Sequence, residues 1–116
     1  MSPSVDRFGS LLNHLFNAIT KDIDLEPGQV YVTKGFIELT GKVRIGAYSD
    51  DHGTHFHVKY IPGDIDARFS WPDMKLESYK SKNQFTTRQL KNIQITCHSD
   101  YCKDFVKQEL TRAGRL

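Results

Sequence analysis

Over the first twenty positions the apolar residues Phe8, Leu11, Leu12, Leu15, Phe16 and Ile19 fall on one stripe between Ser4 and Ile19. That is the 3.6-residue period of an amphipathic helix. The Pro-Gly of "LEPGQ" (25–29) breaks the pattern. "VYV" and "FIEL", separated by Lys34-Gly35, then read as short β-rich runs. From residue 42 the period is two, as in half-buried strands. Val43, Ile45 and Ala47 share a face in "KVRIGAY"; Phe56, Val58 and Tyr60 share one in "HFHVKY"; Ile65, Ala67, Phe69 and Trp71 share one in "IDARFSW". Pro62-Gly63 between the last two runs predicts a type II turn closing a hairpin, and "DMKLESY" (73–79) adds a further strand.

After Tyr79 the spacing becomes helical again. Thr86 or Thr87 caps a helix through "RQLKNIQIT" with Leu90, Ile93 and Cys97 inward. A last helix, Asp100 to Arg112, buries Tyr101, Phe105, Val106 and Leu110, and Gly114 ends it. The predicted class is α+β: an N-terminal helix, a central antiparallel sheet of about four strands and two C-terminal helices packed on one face. At 116 residues the chain suits one domain, with residues 1–41 as a helix-and-strand extension on a core of residues 42–112.

Composition narrows the class. Apolar residues at 38% and charged residues at 26% are those of a soluble globular protein. No apolar run approaches the roughly 18 residues that span a bilayer, so no membrane partner is expected. "MSPSVDRFGSLLNHLF" lacks a basic region followed by an apolar core, which predicts no secretory signal and a cytoplasmic location. Cys97 and Cys102 are then expected as free thiols. In "CHSDYC" (97–102) they match no zinc spacing, and on a continuous helix they would diverge by about 140°, so they read as packing residues.

The net charge of +2 is too mild to imply a nucleic-acid partner, and the placement of the charges carries more weight. The polar positions of the strands are Arg44, Gly46 and Tyr48, then His55, His57 and Lys59, then Asp66, Arg68 and Ser70. An open face presenting Arg44, Lys59, Arg68, two histidines and Tyr48 is a recurrent way of meeting RNA or single strands. Acidic relief comes from Asp66, and from Glu77 if the fourth strand joins. The plainer alternative is a hydrated sheet face on which Lys and Arg are good solvators.

"DDHGTHFHVKY" (50–60) sharpens the choice, with two aspartates and three histidines within eight positions. His55 and His57 at i and i+2 point the same way, their Cα atoms roughly 6.5–7 Å apart. Three chemistries fit. As acid and base, which an unperturbed imidazole serves near neutral pH, His55 and His57 would cleave a phosphodiester without a metal, with Lys59 or Arg68 stabilising the phosphate charge. As ligands they would hold zinc or another divalent metal, with His52 or Asp51 third and water fourth. As structural residues they would hydrogen-bond a turn or a neighbouring strand.

The stretch "VRIGAYSDDHGTHFHVKY", with "FTTRQLKNIQI" and "DFVKQEL" after it, resembles the small bacterial proteins of domain-of-unknown-function family 4160. Their signature is Asp-His-x-Pro-Pro-His-Phe-His-Val. The likeness covers residues 42 to 111, and His55-Phe56-His57-Val58 is its specific part. Gly53-Thr54 replaces the Pro-Pro pair in a loop one residue shorter, so Asp50 and Asp51 both stand as matches to the family aspartate, and the match of His52 is left open. An aliphatic residue near Ile95 takes the place of a tryptophan common in the family. The resemblance implies a toxin–antitoxin-type or mobile-element setting and a small cognate protein partner, but no reaction. The leading expectation is a protein that engages RNA or another nucleic acid without a cofactor, through His55, His57, Arg44, Lys59, Arg68 and Tyr48. The alternatives are a metal-dependent hydrolase using His52, His55 and His57, and a non-catalytic module that binds and inhibits a protein. A second copy of the chain stands as a further partner.

Overall fold

In the computed structural model the apolar stripe of the first segment winds into helix α1 (Pro3–Thr20). The structure describes residues 3–21, 41–47 and 53–114, with residues 3–10 as backbone only. The expected strands in "VYV" and "FIEL" lie outside the described residues, as do Tyr48, Asp50, Asp51 and His52. After α1 come β1 (Val43–Gly46), β2 (His55–Tyr60), β3 (Ile65–Ser70), β4 (Leu76–Tyr79), α2 (Thr87–Cys97) and α3 (Asp100–Arg112). The protein is α+β. Among the described residues four strands form an antiparallel meander in the order β1-β2-β3-β4. Among the described residues no helix is long and apolar enough to cross a membrane.

The period-2 positions become the core. Val43, Phe56, Val58, Ala67 and Phe69 are fully buried, and Ile45 nearly so. Phe56 sits opposite Phe69 in the β2–β3 register, their rings stacked with centroids 5.6 Å apart. Leu11, Leu12 and Leu15 from α1, Ile93 from α2 and Val106 and Leu110 from α3 join the same cluster. Each such side chain contributes roughly 1.5–3 kcal/mol by leaving water. Leu90, Tyr101 and Phe105 are only half-buried, at the rim of that core. Trp71 is half-buried too, because its indole N–H reaches out to donate to the Lys103 carbonyl at 3.1 Å, tying the end of β3 to α3.

Polar side chains join the helices. Thr86 caps α2 by accepting from the Gln89 N–H at 3.1 Å, and the Gln89 side-chain oxygen accepts from the Thr86 N–H at 2.8 Å. The amide nitrogen of the same Gln89 donates to the Ile19 carbonyl at 3.0 Å, while fully buried Asn92 donates to Ala18. Two of the last carbonyls of α1, which no turn of α1 could satisfy, thus find donors on α2.

One local expectation is corrected. The β2–β3 connection is not a type II turn: Ile61–Gly63 form one 3-10 turn, and Asp64 takes the left-handed conformation (φ 50°) with its N–H donating to the Ile61 carbonyl. Pro62 fits a 3-10 turn because its fixed φ is already helical. Gly63 is needed for space, since a Cβ there would lie 2.9 Å from the Tyr60 ring. Cys97 and Cys102 lie on different helices, in keeping with the expected start of the last helix at Asp100. Residues 98 and 99 separate α2 from α3, and Ser99 caps α3 by accepting from the Cys102 N–H. Both thiols are free and fully buried. A hydrogen bond with Cys102, together with burial, pushes the Cys97 thiol well above its ordinary pKa, so it packs rather than reacts.

Candidate functional site

Strand alternation aims Phe56 and Val58 into the core and sends His55, His57 and Lys59 to the opposite face of β2. Register brings their neighbours: Arg44 on β1 faces Lys59, Gly46 faces His57, and on β3 Ser70, Arg68 and Asp66 face His55, His57 and Lys59 in turn. The register between β3 and β4 shifts at Arg68/Phe69, and Glu77 of β4 falls beside that shift.

The two histidines have different surroundings. His57 is fully buried, and its Nδ1 lies 2.8 Å from Asp66 Oδ1. A carboxylate oxygen only accepts, so the Nδ1–H donates, and in the neutral ring Nε2 is left as the acceptor. The Lys59 ammonium stands 3.8 Å from the other oxygen of Asp66. His55 keeps 22% of its side chain exposed and pairs through Nδ1 with Glu77, whose same oxygen lies 3.4 Å from Arg68 Nε. Its ring lies close over Gly53: a Cβ at that residue (φ +79°) would come within 3.0 Å of His55 Nε2. Glycine thus meets both a left-handed backbone and a close approach at this site.

The face is therefore not uniformly open. At its centre an imidazole is sealed from water against Asp66, and exposure is kept by His55, Lys59, Arg68 and Arg44 around it. His57 escapes the usual penalty for a buried polar ring because Asp66, 17% exposed, supplies the hydrogen bond. Glu77 joins as the second carboxylate, and each acid serves one histidine and one cation. An Asp or Glu on Nδ1 orients an imidazole for acid–base work and for metal ligation alike.

The sequence-predicted residues Arg44, His55, His57, Lys59 and Arg68 are brought together on one face. Tyr48, His52 and Asp51 lie outside the described residues, so the proposed third metal ligand does too. Among the described residues no group of three His, Cys, Asp or Glu side chains is placed to hold a metal ion. For His57 the structure matches the structural alternative, a hydrogen bond to a neighbouring strand, with Asp66 of β3 as the partner.

No family model matches the chain, and comparison with curated proteins and with solved structures finds no match either.

Proposed function

We propose that this protein engages RNA through the polar face of its sheet, with Arg44, Lys59 and Arg68 contacting phosphates and His55 as the accessible imidazole among them. The single observation that carries this reading is the row of Arg44, Lys59, Arg68 and His55 on one face, in which Asp66 stands by Lys59 and Glu77 by Arg68 and His55. Sheet faces read RNA through charge on the backbone and through side chains that reach single strands. His57 sits beneath and positions the face through Asp66, which it shares with Lys59. The likeness of His55–Val58 to family 4160 supports a toxin–antitoxin-type or mobile-element setting with a small cognate protein.

A second reading, a module that binds a protein partner, is favoured by one specific observation. Lys59 and Arg68 each stand by a carboxylate, which gives the face a mixed charge. Salt separates the two. Binding of a short single-stranded RNA should weaken steeply as salt rises, because each neutralised phosphate releases counterions. Lys59→Ala and Arg68→Ala should each flatten the slope of log affinity against log salt by about 0.7. RNA binding that is absent or indifferent to salt would overturn the RNA reading and favour the protein partner.

A further inference from the structure

A second site lies at the end of the sheet, beside the proposed RNA face. An open pocket of about 460 Å³ is walled by Lys59, Lys80 and Lys82, by the two acids Asp64 and Asp66, and by Tyr60 and Ile65 among others. Ligand pockets typically hold roughly 300–1,000 Å³. Lys59 belongs to both places: its strand neighbours lie on the RNA face, and it also lines the pocket.

The stretch that carries Lys80 and Lys82 is fastened down rather than loose. The Lys80 N–H donates to the Asp66 carbonyl at 3.0 Å, and the Asp66 N–H donates to Ser81 Oγ at 2.8 Å. The Ser81 hydroxyl in turn donates to the Asn83 carbonyl at 2.8 Å, and the Asn83 amide donates to the Gly63 carbonyl at 3.0 Å. Residues 80–83 thus grip both the start of β3 and the 3-10 turn, and a parallel bridge pairs Ile65 with Asn83. Two lysines flank that anchored serine, and among the described residues neither side chain has a carboxylate partner. Asp66 stands 3.8 Å from the Lys59 ammonium, and Lys80 and Lys82 tip the lining to a net positive charge that suits an anionic group, which lysine meets as a point charge. The remaining walls differ in kind. Tyr60 and Ile65 offer apolar surface and an aromatic ring, and the Asp64 carboxylate accepts from a hydroxyl or an exocyclic amine.

We propose that this pocket binds a single nucleotide through a terminal phosphomonoester: the phosphate at Lys59, Lys80 and Lys82, the nucleoside against Tyr60 and Ile65, and Asp64 taking a sugar hydroxyl or base amine. The same chemistry is carried by a free nucleoside monophosphate and by the phosphorylated end of an RNA strand. The proposal deepens the RNA reading and rests on it for the second of these sources.

Two titrations of the full chain test it. The first follows backbone amide resonances as adenosine 5′-monophosphate or adenosine is added. Shifts are expected at residues 59–66 and 80–83, with the monophosphate binding at least about tenfold tighter than the nucleoside, the effect of a doubly charged group beside cations in water. The double variant K80A/K82A, altered at two exposed side chains, should keep the circular-dichroism spectrum and lose about tenfold in that affinity. The second titration compares labelled oligoadenylate RNA with and without a 5′-phosphate. A tighter grip on the phosphorylated strand, lost in K80A/K82A, supports the strand end as ligand; equal grip with monophosphate binding intact supports the free nucleotide. Absence of shifts at residues 59–66 and 80–83, or equal affinity in K80A/K82A, overturns the pocket. RNA binding that falls in Arg68→Ala but not in K80A/K82A overturns the strand end as the pocket's ligand and leaves the face reading standing. Monophosphate binding at the pocket with no RNA binding supports the pocket as a free-nucleotide site and overturns the face.

Discussion

Replacing His57 by alanine should damage the fold far more than replacing His55, two positions away on the same face. The His57 ring is fully buried, and its 2.8 Å bond to Asp66 joins a charged acceptor to a donor out of water. A hydrogen bond to a charged group contributes about 1.5–3 kcal/mol. Truncation also empties the ring's volume in a packed sheet face, at roughly 1 kcal/mol more. Asp66, 17% exposed and still 3.8 Å from Lys59, rehydrates in part and recovers some of the loss. The sum is about 3 kcal/mol for His57→Ala. His55 loses a pair with Glu77 in which both side chains are partly exposed, at 22% and 33%, and such pairs are worth roughly 0–1 kcal/mol. For a chain of this length each kcal/mol moves the melting temperature by about 4 °C, so drops of about 12 °C and at most 4 °C are expected. Thermal unfolding followed by the fluorescence of Trp71, the one tryptophan, gives both drops, and urea unfolding gives the free energies. Pairing His57→Ala with Asp66→Asn in a double-mutant cycle isolates the bond itself, with a coupling of about 1.5 kcal/mol expected. Equal losses in the two single variants, or a coupling near zero, would refute the assignment of His57 as the sealed, Asp66-bound member of the pair.

Two further outcomes follow from the backbone and from α1. Gly63→Ala should destabilise by about 1–3 kcal/mol in thermal unfolding, because the new Cβ meets the Tyr60 ring at 2.9 Å and the ring cannot swing away without leaving the core edge; an unchanged melting temperature would refute the close approach. Burial pushes the pKa of His14 on α1 below its ordinary 6.5. The unfolded chain therefore takes up this proton at higher pH than the folded one, and stability from this group is complete above about pH 6.5 and declines as pH falls below it. His14→Gln should lose less stability than the parent between about pH 7 and pH 5 in denaturant midpoints, and an identical loss in both proteins would remove His14 as a cause.

What the sequence determined by itself is local. Alternation at two residues put Phe56 and Val58 on one face and His55, His57 and Lys59 on the other, and the helical stripe put Leu11, Leu12 and Leu15 together, because side-chain direction in a strand or helix depends on the backbone of that element alone. The bounds Asp100 and Arg112 of the last helix were readable for the same reason. The chemistry of the face was decided by tertiary structure. Asp66 reaches His57 because β2 and β3 pair in one register, and Glu77 reaches both His55 and Arg68 because the ladder slips beside Arg68. The pairing of Cys97 with Cys102 needed the break at residues 98 and 99, and the lysine pocket needed Ser81 and Asn83 to fold back on β3 and the 3-10 turn. No period in the sequence encodes the sealing of His57 while His55 stays exposed: identical alternation places both on one face, and burial is a sum over neighbours from other parts of the chain.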